Sequence, residues 1–144
     1  VEAGDRVVSI KDTYGGTSKV FLEMLPEAGV EVALCETEDH EEIERQVALG
    51  CRLLYLESPT NPTLKVLDLK RLIASAHEAG AIAMVDNTFA TPVNQRPNCA
   101  IWRNKGVVTV CTSETIVLMR PISVLAPVPT TTPAPCPWVT SVPE

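Results

Sequence analysis

Residues 55–97 read YLESPTNPTLKVLDLKRLIASAHEAGAIAMVDNTFATPVNQRP, and the order of patterns inside this stretch decides the fold. An apolar run reaches Glu57, a loop punctuated by Pro59 and Pro62 follows, an amphipathic segment opens at Asp68, and a second apolar run, AIAMVD, ends on Asp86. Leu69, Leu72, Ile73 and Ala76 recur at i, i+3, i+4 and i+7, the spacing of one helix face, and Gly80 is well placed to stop that helix. A strand, a helix and a strand in this order predict a parallel crossover, because parallel strands need a long connection that a helix supplies.

Working outward, the same alternation extends back to the first residues. Strands are predicted over 6–10, 30–34, 52–57 and 81–86, each apolar enough for burial on both faces. Helices are predicted from about 17 to 28, after Thr37 as N-cap, and from Asp68 to Gly80. Pro26 should shorten or kink the last turn of the first helix, and Glu38, Asp39, Glu41 and Glu42 favour the start of the second through the helix dipole. The expected class is α/β, with a mostly parallel sheet in residues 1–97 as one partial domain.

Past Pro97 the composition changes. Residues 98–144 hold seven of the twelve prolines, both tryptophans, three of the five cysteines and two acidic residues, whereas residues 1–97 carry sixteen acidic against nine basic residues. The shift predicts a boundary and a divergent, Pro/Thr-rich tail that is disordered or frameshifted, although 107–119 has the β-propensity for one or two strands. With a net charge of −6 and no basic stripe, nucleic-acid binding is not expected. The apolar run at 116–128 is broken by Arg120, Pro121 and Pro127, so no membrane span is expected. An odd set of cysteines without a CxxC pair predicts neither zinc nor a disulfide framework and fits a reducing, cytoplasmic setting. Val1 opens inside a foldable run with no basic and apolar leader, which predicts a cut end and no secretory signal.

Ligands of open parallel sheets sit beyond the carboxyl ends of the strands, and three polar clusters fall there: 14–17, 57–63 and 86–91. Asp86 has two readings, a cap on the turn through Asn87 and Thr88, or a carboxylate that keeps a pyridine-type nitrogen protonated. Tyr14 precedes Gly15 and Gly16, so its ring is free to lie on a flat ligand, or the glycines simply start a helix. Asn61, between two prolines, has a backbone restricted enough to aim its amide, though SPTNPT alone reads as a loop. His40-Glu41 opens like a zinc-protease helix but meets Glu44 where the second histidine is required. His77, Cys35 and Cys51 read as structural.

Taken together, YGGT at 14–17, LESPTNPT at 56–63 and VDNTFATP at 85–92 resemble the Cys/Met-metabolism family of pyridoxal-phosphate enzymes. That family includes cystathionine γ-synthase, the cystathionine lyases, methionine γ-lyase and the O-acylhomoserine sulfhydrylases. The resemblance implies a fold-type-I, aminotransferase-like large domain, pyridoxal phosphate as cofactor, amino-acid substrates and a homo-oligomer whose subunits share sites. It makes Tyr14 the catalytic residue that stacks on the ring and assists proton transfer. Asp86 becomes the partner of the ring nitrogen, Asn61 a contact to cofactor hydroxyl or substrate carboxylate, and Thr88 a neighbour of the ring.

One departure runs against catalysis. The family pattern continues with Ser-x-Thr-Lys, whose hydroxyls bind phosphate and whose lysine forms the Schiff base; the matching positions here are Val108, Val110 and Cys111, and Lys105 lies six residues early. A thiol cannot replace that amine. The resemblance thus implies a fragment of a trans-sulfuration enzyme, inactive as written, with a tail from a shifted reading frame. The competing expectation is a non-catalytic module that associates with intact relatives.

Overall fold

Short apolar runs rich in Val, Ile and Leu become parallel strands here, and the amphipathic segments between them become the crossovers. The computed structural model describes residues 1–95 and the backbone of residues 107–110. Lys105, Cys111 and, apart from 107–110, the rest of the expected tail lie outside the described residues. The strands are β1 (Arg6–Ile10), β2 (Glu31–Cys35), β3 (Leu53–Glu57), β4 (Ile82–Asp86) and β5 (Val107–Val110). They lie in the order β2-β1-β3-β4-β5, every pair parallel. The four strands expected within residues 1–97 are all present, displaced by at most one residue at an end. Val107–Val110, expected only on propensity, joins the edge beside β4.

The chain first steps from β1 to β2 in one direction, then crosses back to β3 and onward to β4. Right-handed crossovers in opposite directions place their helices on opposite faces. One face is covered by α1 (Gly15–Lys19), a π-helical turn (Val20–Met24) and α2 (Leu25–Glu27). There Phe21 packs with Val7, Val30 and Tyr55. The other face is covered by α3 (His40–Ala48) and α4 (Leu69–Glu78). Their Ile43, Val47, Leu72, Ile73 and Ala76 form the larger core with Val8, Leu54, Leu56, Ala83 and Val85. Alternation along β3 is the link between the two cores: Tyr55 faces Phe21 of the π-helical turn, while Leu54 and Leu56 face α3 and α4.

Local rules account for the element ends, with three differences from expectation. The first helix starts at Gly15 rather than near Thr17. Pro26 acts one turn earlier than its own position: the Leu25 N–H reaches back to the Val20 carbonyl, so the helix widens where a proline ring would otherwise meet the carbonyl four residues before it. The N-cap of α3 is Asp39, whose Oδ1 accepts the Glu42 N–H at 2.9 Å. Thr37 is instead buried, with its hydroxyl accepting the Asp12 N–H at 3.2 Å. Asp68 caps α4 as expected, accepting the Arg71 N–H at 3.0 Å, and Gly80 ends it at φ +78°, a conformation that costs glycine nothing. No helix among the described residues is long and apolar enough to cross a membrane.

Candidate functional site

The strand order makes β1 and β3 neighbours, so the loop after β1 and the loop after β3 open at the same end of the sheet, next to the end of β4. Glu57 closes that arrangement. It is the last residue of β3, only 4% exposed, and its Oε2 accepts the Tyr14 N–H at 2.9 Å. Asp86 is its register partner on β4. Tyr14 and Asp86, far apart in the chain, therefore meet at one buried acid.

Each expected residue can now be placed. Tyr14 is 59% exposed, and its backbone carbonyl accepts the Ser18 N–H at 2.9 Å to open α1. A Cβ on Gly16 would stand 2.7 Å from Cε1 of that ring, so glycine is what lets the ring lie back along the helix start. Gly16→Ala should move the exposed ring rather than the backbone, and alanine gains up to about 1 kcal/mol in helix propensity. The expected result is a displaced set of Tyr14 ring resonances in NMR spectra with an unchanged or slightly raised thermal midpoint; a lowered midpoint would show that the ring cannot yield.

The two oxygens of Asp86 have different partners. Oδ1 accepts the Thr88 N–H at 2.9 Å and the Thr88 hydroxyl, which is the turn-capping role. Oδ2 has the Tyr55 hydroxyl at 3.4 Å, the long end of hydrogen bonding, and thus retains most of its accepting capacity. Thr88 sits beside Asp86, with its hydroxyl donating to Oδ1. Asn61 lies in a loop with cis peptide bonds at Ser58–Pro59 and Asn61–Pro62. That loop is braced by Thr60, whose Oγ1 accepts the Lys65 N–H at 2.9 Å, and by Ser58, whose Oγ accepts the Leu67 N–H at 3.1 Å. Among the described residues, no hydrogen bond is recorded to the Asn61 side-chain amide.

Four residues of this site were not singled out from the sequence. Tyr55 is buried with its ring edge-on to Phe21, centroids 5.1 Å apart. Burial first, then Asp86, raises its phenol well above the ordinary value, so it stays a proton donor. Asn87 and Gln95 clasp each other: Asn87 Nδ2 donates to the Gln95 carbonyl at 2.8 Å, and Gln95 Nε2 donates to Asn87 Oδ1 at 2.8 Å and to the Ser58 carbonyl at 2.7 Å. The clasp ties the loop after β4 to the loop after β3. Glu57 is the fourth; two strands that both end in an acid, Glu57 and Asp86, were the available signal.

Burial, above all, pushes the Glu57 carboxyl above its ordinary value; the Tyr14 N–H opposes this, Asp86 adds to it, and the Asn61 N–H opposes it. A raised carboxyl stabilises the fold below its unfolded value, and that contribution is lost as pH rises through the folded value. Asp12, held below the ordinary range by Lys65 and Thr37, has the opposite sign: its contribution is present above the unfolded value and lost as pH falls. An apolar groove between Phe21, Ile10 and Leu34 lies beside β1 and β2 and includes neither Asn61 nor Asp86.

The profile of Cys/Met metabolism PLP-dependent enzymes matches residues 1–100. The chain belongs to that family. It is 41% identical over 95 residues to cystathionine gamma-lyase of Bacillus subtilis, covering 66% of this chain and 25% of that one. It is 42% identical over 98 residues to L-methionine gamma-lyase of Fusobacterium nucleatum, covering 67% and 25%. The solved structure of metB from Corynebacterium glutamicum superposes with a TM-score of 0.65 at 32% identity, covering 69% of this chain and 26% of that one. The chain thus spans about a quarter of the length of these Cys/Met metabolism relatives, and its parallel α/β sheet is part of a fold-type-I domain.

Proposed function

We propose that residues 1–97 form the ring-facing wall of a pyridoxal-phosphate site from a trans-sulfuration enzyme, one that eliminates or replaces the γ-substituent of a sulfur amino acid or an O-acylhomoserine, and that this chain is catalytically silent. The observation that carries the reading is the division of labour at Asp86: one oxygen secures the turn while the other keeps most of its accepting capacity, at the end of the sheet where the loops of Tyr14 and Asn61 also lie. An open carboxylate oxygen suits a protonated ring nitrogen, an exposed phenol ring suits stacking, and an open amide suits a hydroxyl or carboxylate. When bound, the cofactor supplies an electron sink for charge developed on the substrate.

The ring end of the site fits the cofactor; the phosphate end does not. Val110 is the register partner of Asp86 on β5, and valines at 108 and 110 offer no hydroxyl where the family pattern has two. Cys111 stands at the position of the lysine. No catalytic step is therefore assigned to this chain. Its expected behaviour is weak cofactor binding without a covalent adduct. Borohydride treatment of the full chain with pyridoxal phosphate, followed by peptide mass mapping, should find no stoichiometric adduct at any one lysine. A stoichiometric adduct at a single residue, such as Lys105, would overturn the assignment of silence.

A further inference from the structure

Glu57 has no role in the reading above, yet it is the most enclosed acid at this end of the sheet. Strand neighbours lie about 4.8 Å apart, and Glu57 and Asp86 are register partners at the ends of β3 and β4. Glu57 is thereby set beside a second carboxylate while 4% exposed. A buried carboxylate beside another is costly unless a donor compensates it. One comes from the loop after β1, the Tyr14 N–H at 2.9 Å. Its ionisable neighbours are Asp86 on β4 and Tyr55 two residues earlier on β3.

We propose that Glu57 is a positioning residue of this site, a buried carboxylate at the end of β3 that holds the backbone of Tyr14 and so sets the aromatic ring at a ligand seat beside Asp86. A side-chain hydrogen bond to the backbone N–H, rather than to the phenol, leaves the functional end free. The inference deepens the cofactor reading and rests on it for the identity of the ligand alone.

The test is an NMR pH titration of the full chain, following the amide proton of Tyr14, paired with pyridoxal-phosphate titration by absorbance. In the unmodified chain that amide should titrate with a midpoint above the ordinary glutamate range. In Glu57→Gln the inflection should vanish while amides in the core of β3, such as Leu54, keep their positions, and cofactor affinity should fall roughly tenfold, the loss of a charge-assisted hydrogen bond. A Tyr14 amide that does not titrate in the unmodified chain, or an inflection that survives in Glu57→Gln, overturns the proposal, as does equal measurable cofactor affinity in the two proteins. Titration of the Tyr14 amide without any cofactor binding overturns the cofactor reading and leaves Glu57 as the anchor of the loop after β1. If the variant does not fold, the titration of the unmodified chain still decides.

Discussion

Leu54→Ala should destabilise the folded unit by about 3–4 kcal/mol and lower its thermal midpoint by more than 10 °C, on the order of 4–8 °C per kcal/mol for a domain this small. Leu54 is fully buried on β3 and belongs to the core that α3 and α4 close with Ile43, Val47, Leu72 and Ile73. Truncation removes the transfer free energy of the lost methyl groups and leaves a cavity among residues held by a sheet on one side and two helices on the other, so collapse is restricted. Leu49, 69% exposed just past α3, is the matched control and should change stability by no more than about 0.5 kcal/mol. Urea unfolding of both variants checks this; similar midpoints would mean that the larger core is not the main source of stability.

Arg6→Ala comes next, with an expected loss of about 2–3 kcal/mol. The Arg6 side chain is 17% exposed and joins three elements: Nε pairs with Glu31 on β2 at 2.7 Å, Nη1 donates to the carbonyls of Gln46 at 2.7 Å and Gly50 at 3.1 Å, and Nη2 reaches the Gln46 side chain. The carbonyls, at the end of α3 and in the turn after it, dominate. A guanidinium there satisfies acceptors that the helix itself leaves open and lies favourably in its dipole. The Glu31 pair contributes little, because Glu31 is 70% exposed and such pairs contribute roughly 0–1 kcal/mol. Glu31→Ala should therefore cost much less than Arg6→Ala, and Arg6→Lys should recover only part of the loss, since one ammonium cannot reproduce the planar fork. Equal unfolding midpoints for Glu31→Ala and Arg6→Ala would locate the stabilisation in the ion pair instead.

The elements themselves were legible because their signals are local. The i, i+3, i+4, i+7 pattern of Leu69, Leu72, Ile73 and Ala76 needs nothing beyond α4 to be read, and Gly80 marks its end. Where two local signals competed, the sequence reading chose less well. Thr37 and Asp39 are both good caps, and the choice of Asp39 depends on Thr37 being drawn into the loop after β1 by the Asp12 N–H. The π-helical turn before Pro26 likewise depends on how the helix must lie to seat Phe21 against Tyr55.

The candidate site was legible as chemistry and illegible as geometry. Tyr14, Asn61, Asp86 and Thr88 carry the groups that motif reading picks out, and they do gather at one end of the sheet. Glu57, Tyr55, Asn87 and Gln95 were passed over because what they do is hold other residues. A supporting role of that kind has no composition or spacing of its own.

By itself the sequence determined the α/β class, the four strands and the helices within residues 1–97, the order of the polar loops and the kinship with the Cys/Met metabolism enzymes, all of which rest on periodicity and on short runs of adjacent residues. Only the tertiary structure decided the strand order β2-β1-β3-β4-β5, the enclosure of Glu57 against the loop of Tyr14, and the different partners of the two Asp86 oxygens. The physical reason is that pairing between distant strands and the burial of one carboxylate beside another are set by the whole packed sheet, and no short run of residues encodes them.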